Sequence, residues 1–258
     1  MRVRALFYRR GFFMNDIEML KKIIAEGKRI VFFGGAGVSC ASGIPDFRGS
    51  AGLYTSQNEE YDAPPEVMLH INYAKTNPRA FFSYYRKNMV YPEAKPNEAH
   101  KALASLERAG KLQAVITQNI DGLHQLAGSR NVLELHGSVL RNYCGRCDTR
   151  YSLDYVMEAD DVPKCGKCGG IVRPDVVLYG EGLDEDVFTQ AQRAIYTADV
   201  LIVGGTSLTV NPAASLVRYY GGKHFIIINK TPTPYDGYAE LVIREPIEKV
   251  LAEAAKGI

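Results

Sequence analysis

Residues 29–49, RIVFFGGAGVSCASGIPDFRG, decide how the rest of the chain reads. The run from Arg29 to Phe33 has the length and apolar character of a buried strand, and it enters a glycine-rich turn, GGAG at 34–37. A strand that delivers its end to a turn with so little side-chain bulk is where a nucleotide phosphate meets backbone N–H groups. Alone, Gly35-x-Gly37 is a weak dinucleotide fingerprint. The third glycine of the usual pattern is Cys40, and no acidic residue ends a clear second strand. A plain tight turn accounts for it nearly as well.

Working outward, Asn15 with Glu18 three positions on and apolar Ile17, Leu20, Ile23 and Ile24 reads as a capped helix that Gly27 ends. The preceding MRVRALFYRRGFF (1–13) holds four arginines and no acid but lacks the serines and length of a targeting segment. It is read as a disordered extension outside the fold. Downstream, apolar runs at 113–117, 132–135, 199–203 and 224–228 alternate with helical stretches, which predicts a doubly wound parallel sheet with right-handed crossovers. Two segments break that rhythm. One is 46–97, with an aromatic helix at 78–90, and the other is 141–170, which holds paired cysteines. They are assigned to a small lobe, and 14–45, 98–140 and 171–258 to the main domain. Pro96 before NEAHKALASLERAG marks re-entry into that domain, and Gly110 suits the far cap of its helix.

The chain has 258 residues, is 46% hydrophobic and 23% charged, and carries a net charge of +2. That supports one good core plus a smaller lobe, with no single-sign field to draw nucleic acid or an anionic membrane. Apolar runs such as Val200–Val203 are too short to cross a bilayer. A cytoplasmic monomer is expected.

Four of the five cysteines fall as Cys144-x2-Cys147 and Cys165-x2-Cys168. Two such turns each present two thiolates to one tetrahedral Zn²⁺, and paired spacing of this kind belongs to a reducing compartment rather than a disulfide framework. With four sulfurs bound, no position stays open for water or substrate, so the zinc is structural. The fifth, Cys40, sits within the glycine-rich loop, where a small weakly polar side chain against a cofactor is as plausible as a redox task, and it is given no catalytic role.

The continuation GAGVSCASGIPDFRG (35–49), with TQNIDGLH (117–124), LHG (135–137) and GTSL (205–208), resembles the sirtuins, NAD-dependent protein lysine deacylases. The likeness runs from the first helix to the last. It implies an inverted-Rossmann-like domain and a small lobe made of a helical module and a four-cysteine zinc ribbon, with NAD and an acyl-lysine peptide in the cleft between them.

Residue roles follow from that resemblance. Gly35, Ala36 and Gly37 let amides approach the pyrophosphate. Asp46, Phe47 and Arg48 lie on a cofactor loop, Arg48 reaching toward phosphate and ribose and Phe47 shielding the reacting ribose. Gln118 and Asn119 bond the nicotinamide ribose, Ile120 lines its pocket, and Asp121 takes the carboxamide. Thr206 and Ser207, read as opening a helix after strand 199–203, and Asn229 contact phosphate and ribose. His136 is the general base, a neutral imidazole that takes a proton from a ribose hydroxyl, with Asn119 beside it in the catalytic set. His100 and His124 are read as packing. Val176, Val177, Leu178, Tyr179, Gly180 and Glu181 form the strand that pairs with substrate peptide by β-augmentation, Tyr179 standing where the family commonly has phenylalanine.

In the helix around 81–89, members that prefer succinyl and malonyl groups carry a Tyr-x-x-Arg pair. Here Ser83 and Arg86 fall at those positions, which favours acetyl or longer apolar acyl groups. Three other readings compete: mono-ADP-ribosyl transfer, a non-enzymatic NAD or zinc-ribbon binding module, and a hydride-transferring dehydrogenase.

Overall fold

The computed structural model describes residues 16–47, 52, 61 and 63–258. Asn15, Arg48 and the 1–13 extension lie outside that set. The elements, in chain order, are α1 (Asp16–Glu26), β1 (Ile30–Gly34), α2 (Pro65–Met68), α3 (Ile71–Thr76), α4 (Pro78–Asn88), α5 (Glu98–Arg108), β2 (Leu112–Thr117), α6 (Leu123–Leu126), β3 (Val132–Glu134), β4 (Gly137–Cys144), β5 (Arg150–Tyr151), α7 (Leu153–Met157), β6 (Val172–Val176), α8 (Glu185–Thr197), β7 (Val200–Gly204), β8 (His224–Ile228), β9 (Leu241–Ile243) and α9 (Ile247–Ala254).

Six strands form one parallel sheet in the order β3-β2-β1-β7-β8-β9. This is the doubly wound arrangement, and its direction of winding reverses between β1 and β7. Ligands of such sheets sit in the crevice at the carboxyl ends of the strands flanking that reversal. Here those ends are Gly34 and Gly204, in register with each other. β1 has no polar face because both of its faces are covered. Ile30 and Phe32 join the layer built by α1, α5 and α9, while Val31 and Phe33 join the layer built by α8 and the 3₁₀ turn Ala213–Tyr219. All four are fully buried, and at about 1.5–3 kcal/mol per large apolar side chain this strand anchors both layers.

The second body combines α2–α4 with an antiparallel sheet in the order β5-β4-β6. Helix α4 begins at Pro78, where proline's fixed φ suits the first turn, and buries Phe81, Phe82, Tyr84 and Tyr85. These rings pack with Val139, Val172 and Val176 of the small sheet. Arg79 pairs with Asp161 at 2.8 Å, and Arg86 donates to the carbonyls of Val156 (2.8 Å) and Asp161, which ties the helix to the segment between the cysteine pairs. The sheet carrying the cysteine turns runs from Gly137 to Val176, wider than the 141–170 segment read from composition.

Candidate active site

The loops after β1, β2, β3 and β7 and the segment after β6 converge on one cavity of about 1200 Å³. Ala36, Gly37, Cys40, Asp46, Phe47, Gln118, Asn119, Ile120, Asp121, His136, Val176, Val177, Leu178, Tyr179, Gly180, Glu181, Thr206, Ser207 and Asn229 all line it. Of the positions expected there, Gly35 stands just behind the wall. A Cβ at Gly35 would meet Thr206 Cβ at 2.8 Å, and one at Gly37 would meet Gly205 Cα at 2.8 Å. The Gly35 and Gly37 N–H groups donate to the carbonyls of Gly204 (3.3 Å) and Gly205 (2.8 Å). These two glycines are therefore required by the close approach of the β1 and β7 loops.

His136 lies in the turn between β3 and β4, directly before Gly137. Its Nδ1 lies 2.9 Å from the carbonyl of Gln118, which can only accept. Nδ1 therefore carries the proton, and Nε2 keeps a lone pair. Burial lowers the pKa of His136, and the Gln118 carbonyl opposes that only in part, so the ring is neutral at pH 7. Gly137, next in the chain, has φ +75, and a Cβ there would fall 1.9 Å from Asp175 O. Only glycine permits β4 to start this close to β6.

In the loop after β2, Thr117 Oγ1 accepts from Asn119 N–H (3.0 Å). Asn119 Nδ2 donates to Ser39 Oγ (3.0 Å), and Ser39 Oγ–H donates to Asp121 Oδ2 (2.6 Å). Asp121 Oδ1 accepts from Leu123 N–H (2.9 Å). Ser39 is 1% exposed and was not among the residues singled out from sequence, although it lies inside the quoted stretch. Asn97 was also passed over. Its Oδ1 caps α5 at Ala99 N–H, while its Nδ2 reaches back to Val38 O (2.8 Å) and Ser42 Oγ (2.9 Å). The Asn after Pro96 in a capping position was the available signal. His100 and His124 are buried with ring centroids 4.7 Å apart, and burial lowers their pKa values to about 4 and about 3. His124 is a packing group, as expected, whereas His100 Nδ1 also accepts from Asn97 N–H (3.3 Å) and completes the cap of α5. Burial and then Asp46 push the Cys40 thiol up, which suits a cavity wall and no nucleophile.

Three local expectations change. No helix opens at Thr206: Leu208 sits at φ +54, so the chain stays a loop, and Thr206 Oγ1 instead accepts from Gln118 Nε2 (3.0 Å) and Leu208 N–H (3.2 Å). β6 stops at Val176. The chain then runs extended to Tyr179, which bridges His70, and turns at Gly180 (φ +87), where Glu181 N–H donates to Leu178 O (3.0 Å), so the strand expected over 176–181 is shorter. Ser83 points to solvent and Arg86 is held by backbone carbonyls of the cysteine-bearing segment. Neither lines the cavity.

At the far end of β4 the four sulfurs of Cys144, Cys147, Cys165 and Cys168 lie within 4.8 Å of one another. Cys144 and Cys168 are 3.4 Å apart, and Cys147 and Cys165 are 3.6 Å apart. Tetrahedral zinc with bonds of about 2.3 Å needs sulfurs roughly 3.8 Å apart, so the donor set fits that ion. Arg146 N–H and the Tyr151 hydroxyl donate to Cys144 and Cys165, as second-layer partners of a metal thiolate do. A Cβ at Gly170 would press on Cys144 Sγ at 2.9 Å.

Residues 35–212 match the Sir2 family. The chain belongs to the Sir2 family. Among its relatives are the NAD-dependent protein deacetylases of Clostridium acetobutylicum, 56% identical over 92% of this chain and 97% of theirs, and of Clostridium perfringens, 54% identical over 93% and 99%. A solved Sir2 with p53 peptide and NAD⁺ superposes with a TM-score of 0.80 at 39% identity, covering 91% of this chain and 95% of that one. A Sir2 homologue with ADP-ribose gives 0.84 at 42% identity, covering 93% and 95%. The fold expected from sequence is thus the Sir2 fold, and its six-stranded sheet and four-cysteine cluster are both in place. Among the described residues no helix is long and apolar enough to cross a membrane.

Proposed function

We propose that the chain removes acetyl groups from protein lysines with NAD as co-substrate, releasing nicotinamide, O-acetyl-ADP-ribose and free lysine. The observation that carries this is His136, a neutral imidazole whose Nδ1–H is pinned to Gln118 O, on the wall shared by the β1 loop and the 176–181 segment. NAD bound here supplies an electrophilic ribose carbon and a leaving nicotinamide. The chain supplies position, a half-enclosed pocket and one base.

In this reading the β1 and β7 loops hold the phosphates, with Asn229 at the other ribose. The Asn119–Ser39–Asp121 chain fixes the nicotinamide side. Asn119 donates through Ser39 to a carboxylate whose second oxygen is anchored on Leu123 N–H, so the amide cannot turn without breaking the whole series. His136 Nε2 accepts a proton from a sugar hydroxyl, and the new N–H charge is tolerable because Gln118 O faces the opposite nitrogen. Phe47, packed against the small lobe, and Ile120 exclude water. The cysteine cluster holds one structural Zn²⁺ and takes no part in proton transfer.

Incubation with NAD and acyl-lysine peptides, following nicotinamide and free lysine together, tests this. Equal molar release of both supports deacylation. ADP-ribose appearing on an acceptor without lysine release supports transfer, and neither product supports a binding module. With Ser83 and Arg86 away from the cavity, acetyl-lysine is turned over faster than succinyl-lysine. A succinyl rate above the acetyl rate overturns that selectivity.

A further inference from the structure

β6 ends at Val176, yet the chain stays extended through Tyr179. On the side facing β4, Val177 N–H donates to the carbonyl of His136 (3.0 Å), Tyr179 N–H to Leu69 O (3.0 Å) and Ile71 N–H to Tyr179 O (2.9 Å). Successive residues of an extended chain present their N–H and C=O groups to opposite sides, so Val176 and Leu178 face away from β4. Their partners there are two side chains and one turn, in which Glu181 N–H donates to Leu178 O (3.0 Å). Arg173 Nη2 donates to Val176 O (3.1 Å), and Glu181 Oε2 accepts from Leu178 N–H (2.9 Å). The two side chains are themselves joined by a bidentate pair, Nη1 to Oε1 at 2.7 Å and Nη2 to Oε2 at 2.8 Å.

We infer that the Arg173–Glu181 pair is a positioning device for peptide binding: it takes up outward backbone groups of Val176 and Leu178 and so fixes the course of residues 176–181 along the cleft wall against which an acyl-lysine peptide lies. The inference rests on the peptide reading above. Both side chains are about three-quarters buried, at 22% and 24% exposure. Arg173 also lies over the Tyr143 ring, 5.8 Å from its centroid, so the small lobe carries the guanidinium. Burial alone would raise the Glu181 pKa, but Arg173 and Leu178 N–H outweigh it and hold the carboxylate ionised. A carboxylate lining a lysine-peptide cleft suggests recognition of basic neighbours in the substrate. Here both oxygens are already engaged, so Glu181 acts on the peptide only through the backbone it holds. The same segment bonds the His136 carbonyl, which links peptide register to the base.

The test compares wild type, Glu181→Gln, Arg173→Gln and the double variant. It reads the Kd of a fluorescent acetyl-lysine peptide by anisotropy and the KM of peptide and of NAD separately. Glu181→Gln keeps its size and an acceptor for Leu178 N–H, so it folds, and a thermal melt checks this. Losing a charge-assisted bond of this kind is expected to raise peptide Kd and KM about tenfold. The KM for NAD stays within about twofold, and the double variant is no worse than either single change, as for residues acting as one unit. An unchanged peptide Kd in Glu181→Gln, a parallel rise in both KM values, or single effects that multiply in the double variant would overturn the inference. A wild type that binds peptide without releasing nicotinamide defeats the deacetylase reading while the Kd series still decides this one. A wild type that binds no peptide overturns both.

Discussion

β4 joins two sites of opposite character. At its start, His136 leaves Nε2 with a lone pair beside a large cavity, and only Nδ1 is engaged. At its end, Cys144 and its three partners turn every sulfur toward a common centre. One end keeps an unused lone pair, and the other gathers four sulfurs that fit a single tetrahedral ion. A catalytic group needs a defined orientation plus one open direction, whereas a structural metal needs ligands on every side.

The strongest way to break that contrast is at the cysteine end. Metal chelation, or Cys144→Ser, is expected to abolish activity by unfolding the small lobe, because structural zinc contributes on the order of 10 kcal/mol to folding. Zinc content, near-ultraviolet circular dichroism and turnover measured together check this. Full activity after verified zinc loss would contradict a structural role. At the other end the effect should separate from folding. His136→Ala should lower kcat/KM by roughly 10²–10⁴-fold with the melting temperature and zinc content unchanged. A comparable loss of stability would make His136 a packing residue instead.

A smaller change sharpens the comparison. Ser39→Ala breaks the link between Asn119 and Asp121 and should cost about ten- to a hundredfold in kcat/KM, the range for a hydrogen bond to a charged group. Asn119→Ala should cost at least as much, and Ser39→Ala added to it should bring little further loss, since Ser39 acts on the site largely through Asn119. pH tests the same contrast without a substitution. A histidine whose pKa is depressed by folding contributes stability that is complete above pH 6.5 and declines as pH falls toward its folded value. For His100 and His124 those values are about 4 and about 3, so the melting temperature should drop steadily between pH 6.5 and 4. His136 is shifted in the same direction, so the acid limb of kcat/KM should lie below pH 6.5. An acid limb above 6.5 would rule out a neutral His136 as base.

Much of this was legible in the chain itself. The strands β1, β2, β7 and β8 are continuous apolar runs because both faces of the sheet are covered, and such runs stand out. β9, three residues among tyrosines and turns, gives no comparable signal and was not seen. The cysteine pairs announce themselves because metal geometry constrains spacing directly. The His136 site was legible only through resemblance, since a lone histidine at a strand end is ordinary. What spacing could not give was hydrogen bonds made across distant segments. Ser39 meets Asp121 across 82 positions, and Arg86, expected at an acyl clamp, instead holds carbonyls 70 and 75 positions away. Likewise Thr206 looked like a helix cap because a hydroxyl after a strand fits that role, but the left-handed Leu208 excludes it.

Gly137 sets a rule for anyone redesigning this cleft. With Asp175 O 1.9 Å from where its Cβ would be, the position is closed to every side chain, and a replacement would displace the residue before it, His136. Leu126 and Leu140 line the same cavity with their side chains largely in solvent. A variant library aimed at the cavity would randomise those two and leave 137 as written, because the first pair changes only the cavity wall while the glycine sets the coordinates of His136.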